Sequence, residues 1–470
     1  MSVCWRRPHL RYKREVVLAL LFLGLLASRL CHLDIVWVEE GYPAAAAIQI
    51  LDGKQLYHDF WFDKPPVSPY LYVLWGAQVG LPLRVAGAVF VWLCCLLTFF
   101  FARDVWSERE GLVAAGLLGF FLIFGIPSAV IALAPDLIMI LPHLAAVYLA
   151  WRGRAFWSGV VAGVGILVNP KAAYILVACL LWTRPRMMAR LLLGLLLPNI
   201  AAIAWFGRPY LDQVWKWGMM YSTHPLAANP LLEGIERTLN WAGFQIALVA
   251  GAAWYLWRER SIGAKRYAVW VLIMFGAVMA GWRFFPRYYF ALLPPIAMMA
   301  ARGYVLLGRA RVALVALLLI PLIRFGPRYV ELAGDLLHHR PHTWSDLAMS
   351  QDSAAAAAML GRDGSLMVWG YRPDVFALTR MPAGTPFLDS QPLTGVIADR
   401  HLTQTEVLDP KLADQNRQKL IRTHPTYIVD GLGVYNPRLA ITNYVDLRSW
   451  LLGYREVGRT AGTVIYRLSP

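Results

Sequence analysis

The sequence predicts an α-helical polytopic membrane protein of about eleven transmembrane helices followed by a small soluble α/β domain. Three observations carry that prediction. Of the 470 residues, 58% are hydrophobic and only 16% are charged, a balance too apolar for a soluble chain. Long apolar runs recur from the N-terminal region to residue 325, and past Arg328 they stop.

Runs able to cross about 30 Å of hydrocarbon lie near residues 16–31, 85–102, 111–133, 136–151, 156–182, 189–206, 241–257, 267–282, 286–301 and 310–325. Asn169-Pro170 breaks the run 156–182 into a hairpin, because proline cannot continue a helix through its own position. The first run follows a basic segment, but Ser28-Arg29-Leu30-Cys31 offers neither an A-x-A cleavage site nor a lipobox, so an uncleaved anchor is expected.

The net charge of +16 does not point to nucleic acid, because the basic residues fill short loops rather than one stripe. Arg6, Arg7, Arg11, Lys13 and Arg14 precede the first span. Arg152/Arg154, Arg184/Arg186/Arg190, Arg258/Arg260/Lys265/Arg266 and Arg302/Arg309/Arg311 occupy alternate later loops. This positive-inside pattern predicts a cytoplasmic N-terminus, with 34–84, 207–240 and all that follows 326 on the outer side. Residues 103–110 nearly cancel in charge and contribute little to the pattern. All five cysteines lie before residue 180, so the exported tail folds without disulfides.

The domains expected are therefore a membrane domain over 1–325, with 34–84 as its first outer loop, and a periplasmic α/β domain over 326–470. In the latter, strands are expected at Leu366–Trp369 and Tyr427–Val429 and helices at 352–361 and 410–422. His338, His339 and His342 match no zinc-ligand spacing and are expected in a solvated connector.

The first outer loop concentrates the chemistry. Glu39-Glu40-Gly41-Tyr42 is followed by Tyr57-His58-Asp59-Phe60 and Asp63-Lys64-Pro65-Pro66. Pro43 is expected to open a helix over Ala44–Leu51 with Glu39 and Glu40 just upstream, where the macrodipole favours negative charge. A second amphipathic piece, Tyr70–Leu81, is expected to lie in the membrane interface, being too short to cross. Acids and a lysine beside a bilayer can deprotonate an acceptor and hold an anionic leaving group, which is the chemistry of sugar transfer from a lipid phosphate.

Two further charges abut hydrocarbon, where each costs about 2.5–3.5 kcal/mol. They are Asp136 in Ala134-Pro135-Asp136 and Lys171 in Asn169-Pro170-Lys171. Arg283, Arg287, Tyr288 and Tyr289 cap another outer helix end, a composition that also suits an interface girdle.

The order E-E-G-Y (39–42), G-K-Q-L-Y-H-D-F-W-F-D-K-P-P (53–66), A-P-D (134–136), N-P-K (169–171) and P-R-Y-Y-F-A-L-L-P-P (286–295) resembles the C-type (GT-C fold) glycosyltransferases that use polyprenyl-phosphate sugars. Within them it is similar to bacterial relatives of protein O-mannosyltransferases, the family that includes aminoarabinose and galacturonosyl transferases acting on lipopolysaccharide. The resemblance spans residues 15 to about 325 and implies a polyprenyl-phosphate sugar donor and a glycan, lipid or protein acceptor. It places Glu39 at the catalytic base and Glu40 beside it, in positions where the family usually has Asp-Glu. One extra methylene moves the carboxylate by about 1 Å, which costs up to roughly 100-fold if uncompensated. It puts Lys64 at the donor phosphate, Asp136 as a second acid, and Lys171, Arg287 and Tyr288 near the lipid phosphate. Tyr42, Asp59 and Asp63 brace the loop or meet the acceptor. No cofactor is implied, no metal ligand is assigned, and a divalent metal is left open.

There is no D-x-D, no G-x-G-x-x-G and no P-loop for a nucleotide-sugar donor. The competing class is a transporter or flippase of lipid-linked sugar, which would more naturally show inverted repeats and midplane charges.

Overall fold

The computed structural model describes residues 8–361 and 363–470, with side chains from Arg14 onward. Cys4, Arg6 and Arg7, and the side chains of Arg11 and Lys13, lie outside the described residues. The chain divides into two compact units, one of Met1–Leu33, Arg84–Asn199 and Leu231–Arg340, the other of Asp34–Leu83, Ile200–Pro230 and Pro341–Pro470.

Among its described residues the first unit's regular elements are all helices. Among them and the segments they join, four helices are long and apolar enough to cross a membrane: Leu81–Val105, Pro185–Ser222, Ile262–Met279 and Pro286–Leu306. Counting the pair Gly308–Ala316 and Leu319–Leu337, bent by 43°, as one span makes five. About eleven continuous spans were expected, and the difference has a local cause. The run 111–133 ends as a helix at Phe121 and resumes only as Pro127–Val130, and 136–151 splits into Pro135–Ile138 and Ile140–Trp151. A 12-residue helix is about 18 Å long, well short of the hydrocarbon thickness. The first run lies in the helix Pro8–Leu30, which carries Arg14, Glu15 and Arg29. The hairpin break is where the sequence predicts it: Ala155–Ile166, then a 3-10 turn at Pro170–Ala172, then Ala173–Leu180.

Small residues let these helices approach closely. Gly303 packs against the backbone of Gly251, joining Leu293–Leu306 to Ile246–Arg258, and Gly159 packs against the backbone of Leu191. The four described cysteines, Cys31, Cys94, Cys95 and Cys179, are free.

The second unit is built round a four-stranded sheet of β1 (Leu366–Trp369), β2 (Tyr427–Asp430), β3 (Tyr454–Arg459) and β4 (Val464–Leu468), in the order β1-β2-β4-β3. β1 and β2 pair in parallel, Leu366 opposite Tyr427, while β4 runs antiparallel to both β2 and β3. β1 and β2 are buried along their whole length, which is why both read as unbroken apolar runs. Their core of Met367, Trp369, Leu393, Leu420, Ile428 and Leu447 is closed by the helix Pro410–Leu420, which Asp409 caps by accepting from Leu412 N at 3.0 Å. The other expected helix is Ala348–Ala358.

Three local expectations are corrected. The acidic segment lies inside its helix, Val38–Leu51, rather than upstream of it. The helix starts early because Glu40 Oε1 accepts from Trp37 N at 3.2 Å and caps it, and Pro43 is accommodated within it. Tyr70–Leu81 is not one interfacial helix: Val67–Val73 ends in a turn through Gly76 and Ala77, both with positive φ (68° and 51°), and the next helix begins at Leu81. His342 is buried rather than solvated, its Nε2 lying 3.0 Å from Asp34 Oδ1.

Candidate active site

The expected site residues fall into two clusters, one in each unit.

In the second unit the helix Val38–Leu51 presents Glu39, half-buried, and Glu40, fully buried. Glu40 is occupied in capping. Gly41 follows because nothing larger fits: a Cβ there would lie 2.7 Å from Asp374 Cα and 2.9 Å from Asp374 N. Tyr42 is buried against Phe62 and Tyr371, with ring centroids 4.7 and 5.5 Å away, and its hydroxyl accepts from Asp63 N at 3.3 Å. Burial, with the nearby Asp63 and Asp389 carboxylates, holds its phenol well above the ordinary range.

Residues 57–64 form a tight, strained loop. Tyr57 has φ of 69°, a left-handed conformation costly for an aromatic residue. It is held there from both ends: Gln213 Nε2 donates to its carbonyl at 2.8 Å, and its hydroxyl donates to Lys64 O at 2.7 Å. Asp59 Oδ2 accepts from Gln55 N at 2.7 Å, a contact that braces the loop. The outcome is the placement of Asp63 and Lys64, ion-paired at 2.8 Å, the carboxylate 2% and the ammonium 38% exposed. Lys64 Nζ also sits 5.7 Å over the Tyr221 ring. Asp63 Oδ1 is buried and accepts no hydrogen bond.

Residues that the sequence reading did not single out complete this cluster. Trp61 N donates to Pro386 O at 2.8 Å, and Trp61 pairs in parallel with Phe387, which brings Asp389 alongside Asp63. Asp389 is 1% exposed, its Oδ1 accepts from Gln391 N at 2.7 Å, and burial together with Asp63 pushes its carboxyl up to about 7. Asp374 is also fully buried, and burial raises its carboxyl above the usual range. Arg372, 2% exposed, reaches Ser353 Oγ at 2.9 Å and Asp352 Oδ2 at 3.3 Å. Arg372, Asp374 and Asp389 lie more than 300 residues beyond Glu39, Asp374 opening the short helix Asp374–Thr379, and neither periodicity nor spacing marks them. The burial of Asp389, three residues after Pro386, is visible only once the chain is folded.

In the first unit Asp136, Lys171, Arg287 and Tyr288 converge from three separate segments. Asp136 stands in the first turn of Pro135–Ile138 and is 6% exposed. Its Oδ1 accepts from Asn169 Nδ2 at 3.0 Å, and its Oδ2 lies 3.3 Å from Arg287 Nε. Asn169 Oδ1 in turn accepts from Lys171 N at 3.1 Å, so the Asn-Pro break serves as the cap that aims the lysine. Lys171 Nζ rests on the face of the Tyr288 ring, buried and without a hydrogen-bond partner. Among the described residues two basic side chains, Lys171 and Arg287, thus stand by one carboxylate, Asp136. Asn169, read in the sequence as a helix breaker and as part of N-P-K, is the member that was given no role in the site.

Among the described residues no three His, Cys, Asp or Glu side chains gather to hold a metal ion.

No protein-family model matches the chain, and no curated protein matches it in sequence. Solved structures do resemble it. One is the crystal structure of ArnT from Cupriavidus metallidurans bound to undecaprenyl phosphate, 15% identical, covering 96% of this chain and 97% of that one with a TM-score of 0.59. Another is the same protein in the apo state, 14% identical over 96% and 97% of the two chains with a TM-score of 0.56. The likeness is one of fold alone, predominantly helical and polytopic.

Proposed function

We propose that this chain is a membrane glycosyltransferase that moves a sugar from a polyprenyl-phosphate donor to a glycan, lipid or protein acceptor. The observation that carries the reading is the cluster of Asp136, Asn169, Lys171, Arg287 and Tyr288. Three short helical segments bring two basic side chains to one buried carboxylate there. A buried ammonium with open donor capacity is costly unless an anion completes it. A lipid-linked phosphate supplies that anion at a helix end, and the fold likeness to a protein solved with undecaprenyl phosphate supports the same choice.

In this reading Glu39 takes the proton of an acceptor hydroxyl as its oxygen bonds to the anomeric carbon. The bond from that carbon to the phosphate oxygen breaks through an oxocarbenium-like transition state, and the electron pair leaves with the phosphate. Cations stabilise the charge that develops there, and by the sequence resemblance Lys64 of the second unit and Lys171 and Arg287 of the first each match such a position. Glu40 secures the helix that carries Glu39, and Asp136 orients Arg287. We assign residues 1–325 to the membrane glycosyltransferase domain and 326–470 to a periplasmic domain, with the N-terminus cytoplasmic. The Lys/Arg excess of alternate loops supports this orientation.

Transfer from synthetic polyprenyl-phosphate sugars in nanodiscs tests the activity. Translocation of the intact lipid-linked sugar, with its glycosidic bond unbroken, would identify a flippase instead. A periplasm-dependent reporter fused after Arg328 tests the orientation, and activity restricted to the cytoplasm would overturn it.

A further inference from the structure

At the other end of the first unit lies a cavity of about 820 Å³. The helix Ile140–Trp151 runs from the Asp136 end to its rim, and Ile262–Met279, about 27 Å long, returns toward Arg283 and Arg287. It is therefore separate from the cluster described above.

Its wall is aromatic and its rim cationic. The Tyr267 ring is flanked by Trp106 and Trp182, with centroids 5.4 and 5.7 Å away. Tyr267 is 4% exposed, yet its hydroxyl has no hydrogen-bond partner, an expensive vacancy for a buried polar group. Of the charged side chains lining the cavity, Glu259 is taken by Arg302 at 2.7 Å and Arg152 by Asp104 at 2.9 Å. Arg184 and Arg266 remain, exposed and paired with no carboxylate among the described residues. The uncompensated charge at the cavity is thus positive.

An exposed apolar face leads directly away from this rim. Met187 lines the cavity, and Met188, Leu192, Leu193, Leu196 and Leu197 continue from it, each at least 41% exposed. A soluble phosphate compound would use the arginines and leave that face idle. A lipid uses both.

We infer that this cavity is a binding site for the headgroup of an anionic diacyl phospholipid, with Arg184 and Arg266 on its phosphate, Tyr267 bonding a polar headgroup oxygen and the acyl chains along the face that starts at Met188. Basic pockets between membrane helices commonly hold anionic headgroups in this way. The inference is independent of the transferase reading, because its readout is binding.

The test is native mass spectrometry of the delipidated full-length protein titrated with phosphatidylglycerol or phosphatidylcholine. Phosphatidylglycerol should be retained preferentially. Arg184→Gln with Arg266→Gln should weaken that retention by about tenfold or more, the usual worth of charge-assisted contacts to phosphate. Arg184→Lys with Arg266→Lys should keep most of it. Photoreactive phosphatidylglycerol should label the wild type within 181–188 or 255–267, a readout independent of any variant's folding. Equal retention of both lipids, labelling elsewhere, or unchanged binding in the double glutamine variant would overturn the site. Glycerol 3-phosphate competing as well as the intact lipid would replace the lipid with a soluble phosphate ligand.

Discussion

Asp63 and Asp389 stand at matching positions in two segments that pair in parallel, each two residues beyond the bridge between Trp61 and Phe387. Both are buried, and only Asp63 has a cation, Lys64, at 2.8 Å. Two carboxylates at such positions resist ionising together, and burial raises the cost, so Asp389 keeps its proton up to about pH 7. The groups that face it are Asp63, which opposes ionisation, and Lys64 and Gln391 N, which favour it.

The sign of the pH dependence follows. A carboxyl whose folded pKa is raised binds its proton more tightly in the folded state. Its contribution to stability is full below the ordinary carboxyl range and is lost as pH climbs from about 4 through about 7. Asp389→Asn mimics the protonated form at every pH. Relative to wild type it should gain on the order of a few kcal/mol of stability between pH 5 and pH 8. Thermal unfolding across that range checks it, and a stability difference independent of pH would show that Asp389 does not titrate there.

Gly41 sits in the acidic segment for steric reasons. Because its missing Cβ would meet the Asp374 backbone at 2.7 Å, relief requires the helix Val38–Leu51 to move. Gly41→Ala should therefore cost about 1–3 kcal/mol, the usual penalty of overpacking, despite alanine's better helix propensity. An unchanged unfolding midpoint would mean that the contact yields without cost.

Much of this was legible in the sequence, and the gaps have physical causes. β1 and β2 show because strands buried on both faces read as apolar runs, and the hairpin break shows because Asn169-Pro170 is a local signal. Asp136 and Lys171 could be picked out because charge beside hydrocarbon is costly wherever it lies, whereas Arg287 was singled out by the resemblance. The start of the helix Val38–Leu51 was hidden: the cap comes from Glu40 reaching back to Trp37, not from a Ser, Thr, Asp or Asn ahead of it. β3 and β4 carry mixed, partly exposed residues with no clean alternation. Asp374 and Asp389 owe their character to tertiary burial, which no sequence window contains.

Lys64 separates donor binding from loop structure. Its backbone carbonyl, held by Tyr57 Oη, fixes the loop, whereas its ammonium, paired only with Asp63, is partly exposed and retains donors for a phosphate. Lys64→Gln leaves the carbonyl in place and should lower kcat/KM for the polyprenyl-phosphate donor by about 10- to 150-fold, the value of a charge-assisted bond of about 1.5–3 kcal/mol. Lys64→Arg should keep part of the activity. Wild-type kinetics in a folded Lys64→Gln protein would reduce Lys64 to a partner of Asp63.

Glu39 and Glu40 are adjacent yet differ in what their carboxylates do, and that difference makes the transferase reading testable. Glu40 is fully buried and accepts from Trp37 N at 3.2 Å, so Glu40→Gln should act mainly on the helix start, lowering the unfolding midpoint more than turnover. Glu39 is half-buried in the same first helical turn. If it is the general base, Glu39→Gln preserves size and most hydrogen bonding but removes the proton acceptor. Turnover should then fall by about 100- to 10,000-fold. Donor affinity, measured separately by binding, should barely change, because no contact to the leaving phosphate is lost. Glu39→Asp tests the extra methylene: retained or improved activity would show that the site accepts the shorter acid, while a loss near that of Glu39→Gln would show that the backbone is set for glutamate. Full turnover in Glu39→Gln would move the base to another buried acid of the same unit, with Asp374, whose backbone packs on Gly41, the next to replace.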